Sequence, residues 1–156
     1  MTGVLVFIPI DESELGAMDG SVVLTNREAH RVTPQLLEAL GYSPEQGEDA
    51  EYAALVLASV AALARYGRRL VLVAEVDPAL VSQGRDLDNG ACVVSSVPVG
   101  AITCWFSEDD RVDPSAAAAA CHGLDIDTAW GFEEVQELLS EADLMWNDVE
   151  EYRRGM

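Results

Sequence analysis

The stretch that most constrains this chain is DAEYAALVLASVAALARYGRR, Asp49 to Arg69. Between Tyr52 and Ala64 it carries a single polar residue, Ser59, so a helix there is apolar around its whole circumference and not along one stripe. Such a helix must be covered on more than one side. The run is shorter than the roughly 18 to 20 residues that cross a bilayer, and charges flank it closely, so it reads as a buried helix in a soluble domain. Its many alanines (Ala53, Ala54, Ala58, Ala61, Ala62, Ala64) let neighbouring backbones approach closely, either within the domain or across a subunit contact.

Local signals place the other elements around this helix. Thr33-Pro34 is an N-cap with proline in the first turn, and Gly41 sits where a left-handed cap belongs, which predicts a short helix from Pro34 to Leu40. Ser43 to Gln46 has capping-box character, Asp49 offers a second start, and the central helix should stop near Tyr66-Gly67. Val4 to Ile10 and Leu70 to Val76 are continuous apolar runs of strand length, the pattern of strands covered on both faces. A helical crossover between two such runs predicts a parallel pair joined right-handedly. Residues Ala79 to Gly90 read as a loop with a turn at RDLDNG. Ala91 to Val97 and Ala101 to Phe106 read as an antiparallel hairpin turning at Pro98 to Gly100. Ser13 to Met18 suggests a helical turn, and Val22 to Leu24 is too short to assign. Asp113-Pro114 opens an Ala-rich helix to Cys121, and Phe132 to Ala142 is an amphipathic helix. Leu144 to Trp146 can add a last strand, and Asn147 can start a terminal helical turn.

These elements predict an α+β fold. The expected sheet is mixed and about four-stranded, with helices mainly on one face, and the nearest named layout is ferredoxin-like, a split β-α-β. Residues 1–156 are expected to form one domain, with 143–156 as an optional appended segment.

Charge narrows the partners. The net charge of -19 argues against nucleic acid and against anionic membranes, which carry the same sign, and favours a basic or apolar protein partner. All nine basic residues are arginine, which fits a GC-rich coding genome. Without lysine there is no P-loop lysine, Schiff base or Ser-Lys dyad. G-x-G, G-x-S-x-G, H-E-x-x-H and C-x-x-C are also missing, so no cofactor is expected. Cys92, Cys104 and Cys121 are odd in number and widely spaced, and the opening MTGVLVFIPI has no basic leader, so reduced thiols in the cytoplasm are the expectation.

Five segments, VLVFIPI, AHRVTPQLLEAL, DAEYAALVLA, CWFSEDD and LMWNDVEEY, resemble an uncharacterised actinobacterial family of small acidic proteins, a domain of unknown function. None of these segments is a catalytic signature, so the resemblance implies no catalytic or ligand-binding residues.

The residues themselves leave two candidate sites. Arg27, His30 and Arg31, with Asp11 and Glu12 after the first strand, could form a small anion or ligand site. The competing reading pairs these arginines with the chain's own carboxylates, as it does for Arg65, Arg68 and Arg69 at the helix end. Asp109, Asp110 and Asp113 are candidates for a hard cation, against a merely solvated acidic loop. Trp130, Phe132, Met145 and Trp146 either close the core or dock a partner. The leading expectation is a non-enzymatic interaction or regulatory protein, homodimeric, with an acidic surface. The alternative is a small enzyme or anion-binding domain at His30.

Overall fold

The structure, a computed structural model, describes residues 3–16, 23–43, 45–85, 89–141 and 143–148. Its elements in order are β1 (Val4–Pro9), α1 (Glu12–Gly16), β2 (Val23–His30), α2 (Pro34–Leu40), α3 (Gly47–Tyr66), β3 (Leu70–Val76), β4 (Val81–Gln83), β5 (Ala91–Pro98), β6 (Ile102–Ser107), α4 (Ser115–Cys121), α5 (Ile126–Trp130), α6 (Glu133–Glu141) and β7 (Met145–Asp148).

The class is α+β, but the four-stranded mixed sheet and its ferredoxin-like layout are overturned. The strands form one open seven-stranded sheet in the order β4-β5-β2-β1-β3-β6-β7, and every neighbouring pair is antiparallel. Two of the strands carry no local sequence signal. β2 is mostly polar because much of it faces solvent, and β4 is three residues long, too short to show a period. The expected parallel pair of β1 and β3 is antiparallel. The helical crossover instead joins β2 to β3, which both run antiparallel to β1 and lie on either side of it.

The expected hairpin of β5 and β6 is also absent. Its turn exists as a 3-10 turn at Val99–Ala101, yet β5 pairs with β2 and β4 while β6 pairs with β3 and β7. The two strands lie four positions apart in the sheet order, about 19 Å if the sheet were flat with strands about 4.8 Å apart. The link from Pro98 to Ile102 reaches at most about 14 Å even when extended. The sheet must therefore coil until its limbs approach each other. Asp77 to Leu80, joining β3 to β4, makes a similar crossing.

Coiling explains an otherwise odd core. Val6, Ile8, Leu72, Ala74, Cys92, Val94 and Trp105 belong to a buried cluster drawn, among the described residues, from strands and strand ends. The limbs of the sheet cover one another. The buried face of β2 switches between Leu24 and Ala29, and that of its partner β5 switches between Val94 and Val97. At the switch stands Asn26, in the left-handed region with φ 51°, a conformation asparagine tolerates better than most residues. This break in alternation also hid β2 from periodicity.

The second core lies on the other face. α3 sets Ala54, Leu57, Ala58, Val60, Ala61 and Leu63 among Phe7, Val71 and Val73 of the sheet on one side and Ala117, Cys121, Ile126, Ala129, Val135 and Leu138 of α4, α5 and α6 on the other. Covered by the sheet and by three short helices, most of the helix is buried within the chain. Its ends follow the expected chemistry. Gly67 closes it with φ 86°, and its N–H donates to the Leu63 carbonyl. The Gly123 N–H donates to the Ala64 carbonyl, tying the loop after α4 to the same end. Ser59, the lone polar residue, donates its hydroxyl to the Val56 carbonyl at 2.6 Å. α2 spans the expected residues, with Thr33 Oγ1 accepting from the Leu36 N–H at 3.0 Å. The centre of the RDLDNG turn at 86–88 and residues 17 and 18 of the Ser13 to Met18 turn lie outside the described residues; Asn147, expected to start a terminal helical turn, lies instead in β7, and the residues beyond 148 are outside the described ones.

Candidate functional site

A concavity lies beside the exposed part of α3. Tyr52, Leu55 and Ser59 of α3, Phe106 of β6, Trp130 at the end of α5 and Leu139 of α6 enclose a cleft of about 430 Å³. Tyr52 is 59% exposed and Trp130 38%, so both aromatic rings stand at the rim. Gln136 donates its side-chain N–H to the Trp130 carbonyl at 2.7 Å, which fixes the corner carrying that ring.

Arg69 also lines this cleft. Its backbone N–H and Nε donate to Glu108 Oε1 at 3.1 and 2.8 Å, and Nη2 donates to Oε2 at 2.9 Å. Both side chains are almost wholly removed from solvent. Leu70 pairs with Ser107 in the β3 and β6 ladder, so Arg69 and Glu108 form the next rung beyond it. Neither residue showed this partnership in the linear sequence, because it appears only once the antiparallel register is known. The two helices that flank the cleft carry exposed glutamates, Glu48 and Glu51 on α3 and Glu133, Glu137 and Glu141 on α6, and Asp143 belongs to the lining.

The residues expected to form an anion site are held by different partners: Arg27 and Asp11 meet at the Glu14 carboxylate, and His30, Arg31 and Glu12 engage other groups. Arg27 makes a two-pronged ion pair with Glu14 and also donates to the Pro9 carbonyl at 3.4 Å. Burial alone would raise the Glu14 carboxyl, but the Arg27 guanidinium, together with the Asp11 N–H, holds it below its ordinary value. Asp11 accepts from the Ser13 hydroxyl, and Glu12 lies 3.8 Å from Arg68. His30 is buried and its Nδ1 is 2.8 Å from the Asn89 carbonyl, a bond in which Nδ1–H is the donor. The Asn89 amide in turn donates to Asp127 at 3.1 Å, joining the end of β2 to α5. Arg31 turns to a different place, a polar pocket of about 260 Å³ between the start of α2 and the β4 and β5 strands. The arginines at the end of α3 pair as the charge balance suggested: Arg65 with Glu28, Arg68 with Glu12 and Arg69 with Glu108.

The carboxylates after β6 are likewise committed to local structure. Hydrogen bonds from Arg111 pull Asp109 down to about 2. Asp113 accepts from the Ser115 N–H at the head of α4, which lowers it, and Asp110 is exposed. Among the described residues, no three His, Cys, Asp or Glu side chains gather to hold a metal ion.

Comparison with known proteins places the chain in a family. It matches the model of a family of unknown function (DUF6912) over residues 4–154, nearly its whole length, and belongs to that family. No curated protein and no solved structure matches it.

Proposed function

We propose that this member of a family of unknown function is a non-enzymatic interaction protein. In this reading it grips a basic segment of a partner protein by an apolar side chain seated in the cleft between α3 and α6. One observation carries the proposal: an aromatic-rimmed, mainly apolar cleft with Asp143 in its lining, between helices that carry exposed glutamates, in a chain of net charge -19. Its volume suits one or two large side chains, and the acidic surroundings attract positive charge and steer it in. Tyr52 and Trp130 can also stack on arginine.

The test is titration of the full chain with short Arg-rich peptides carrying a central Leu or Trp, followed by tryptophan fluorescence. Binding should weaken as salt rises, and Tyr52→Ala and Trp130→Ala should each cost about 1 to 2 kcal/mol, a loss of roughly 5 to 30-fold. Equal affinity for an acidic peptide of the same pattern would sink the proposal.

A homodimer is the second reading, and a specific feature favours it. β7 is an edge strand of the sheet and carries Met145 and Trp146 at 48% and 59% exposure. Edge strands with large apolar side chains invite pairing with another copy. The surplus of apolar surface on α3 no longer supports this reading, since that surface is covered within the chain. Salt separates the two: screening weakens a contact with a basic partner and strengthens one between like-charged copies. Light scattering across a salt series, with Trp146→Glu as the control, reads this directly. Among the described residues no helix is long and apolar enough to cross a membrane. We infer a GC-rich source from the all-arginine basic residues, an actinobacterial one from the segments that resemble such a family, and a cytoplasmic location from the three widely spaced cysteines.

A further inference from the structure

We infer that the pocket between α2 and the β4 and β5 strands is a binding site for a small oxyanion, a phosphate or a carboxylate, held by the Arg31 guanidinium. This inference is independent of the cleft.

Charge balance provides the first argument. The chain has 28 acidic and nine basic residues, so an arginine near the surface should find a carboxylate. Arg27, Arg65, Arg68, Arg69 and Arg111 all do so. Arg31 is half-buried at the pocket and makes no ion pair among the described residues. Among the described residues, the lining contains no carboxylate to hold its charge.

The second argument is the character of the other lining groups. Thr33 accepts the Leu36 N–H, which leaves its hydroxyl hydrogen to donate, and the amides of Gln35 and Gln83 are also donors. Ser82 already donates to the Val93 carbonyl at 3.4 Å. Cys92 lies beside Arg31, and its buried thiol is neutral at ordinary pH because burial pushes it up to about 11 against the pull of that guanidinium. A guanidinium fork among neutral donors fits an oxyanion.

The third argument is rigidity. The Arg31 N–H donates to the Gly90 carbonyl at 2.9 Å, and the Gly84 N–H donates to the Ala91 carbonyl at 3.0 Å. Both glycines allow a close approach, since a Cβ on Gly90 would lie 2.2 Å from the Arg31 carbonyl oxygen and one on Gly84 would lie 2.8 Å from the backbone of Ala91. These contacts fix the backbone of Arg31 and Ala91, two of the lining residues.

The experiment is isothermal titration of the full chain with inorganic phosphate and, separately, with acetate and succinate, against chloride of matched ionic strength. Saturable one-site binding of at least one oxyanion is expected, and the tighter arm assigns phosphate or carboxylate as the class. Arg31→Gln should weaken binding by about tenfold or more, and Gln83→Ala by a few-fold. Because Gln83 is exposed at an edge strand, its variant keeps the test informative if Arg31→Gln folds poorly. No saturable binding in any arm, or unchanged affinity in both variants, overturns the inference.

Discussion

Replacing Glu108 with alanine should be among the most damaging single changes in this protein. The substitution takes from Arg69, whose side chain is 2% exposed, the carboxylate that accepts from its Nε, its Nη2 and its backbone N–H. Removing one partner of a buried pair typically costs about 3 to 5 kcal/mol, because an uncompensated charge stays out of water. Domains of this kind have about 5 to 15 kcal/mol of stability in total. With a urea slope of about 2 kcal/mol per molar, the unfolding midpoint should fall by about 1.5 to 2.5 M. The double variant Arg69→Met, Glu108→Leu removes both charges and keeps apolar bulk, so it should recover most of the loss. Circular dichroism during urea titration of all three chains provides the measurement. If Glu108→Ala cost less than about 1 kcal/mol, the pair would behave as a solvated one. If the double variant were as unstable as the single, lost packing and not stranded charge would be the cause.

Gly90→Ala should cost about 2 kcal/mol or more, since it combines a φ of 70° with a Cβ driven against the Arg31 carbonyl; thermal melts would show it. Glu14 titrates below its ordinary value of 4.5 when folded, so its contribution is present above that value and is lost as pH falls through the folded value. Glu14→Gln should then flatten stability between pH 5 and the acid limit in denaturant titrations. Cys92 goes the other way: its folded value of about 11 lies above the ordinary 9.0, so stability is whole below pH 9 and declines as pH rises toward 11. Cys92→Ala should remove that alkaline decline, as read by melting temperature against pH.

Elements specified by neighbouring residues were legible in the sequence. α2 could be bounded because Thr33, Pro34 and Gly41 act on their own backbone, and α3, β1 and β3 announced themselves by unbroken apolar runs. What depended on distant pairing was not legible. A turn at Val99–Ala101 looks the same whether it closes a hairpin or carries the chain between limbs of a coiled sheet, and only the partners chosen by β5 and β6 distinguish these cases. The sites followed the same rule. Arg31 was a candidate by type, but its pocket needs Gln83 and Cys92 from strands that no local pattern brings near it. The cleft draws Tyr52, Phe106 and Trp130 from three separate segments.

The coiled sheet also bears on how the chain emerges from the ribosome. β2 meets its earlier neighbour β1 in register at Phe7 and His30, whereas its long ladder is with β5, from His30 opposite Ala91 to Val23 opposite Pro98. During synthesis, at about 5 to 20 residues per second, β2 therefore has to wait several seconds for its main partner. α3 and β3 can settle against β1 in that interval, while the all-strand core stays open until β5 arrives. Nascent chains stalled before Ala91 should accordingly be far more protease-sensitive across β2 than across α3, and that difference should vanish once Pro98 has cleared the exit tunnel.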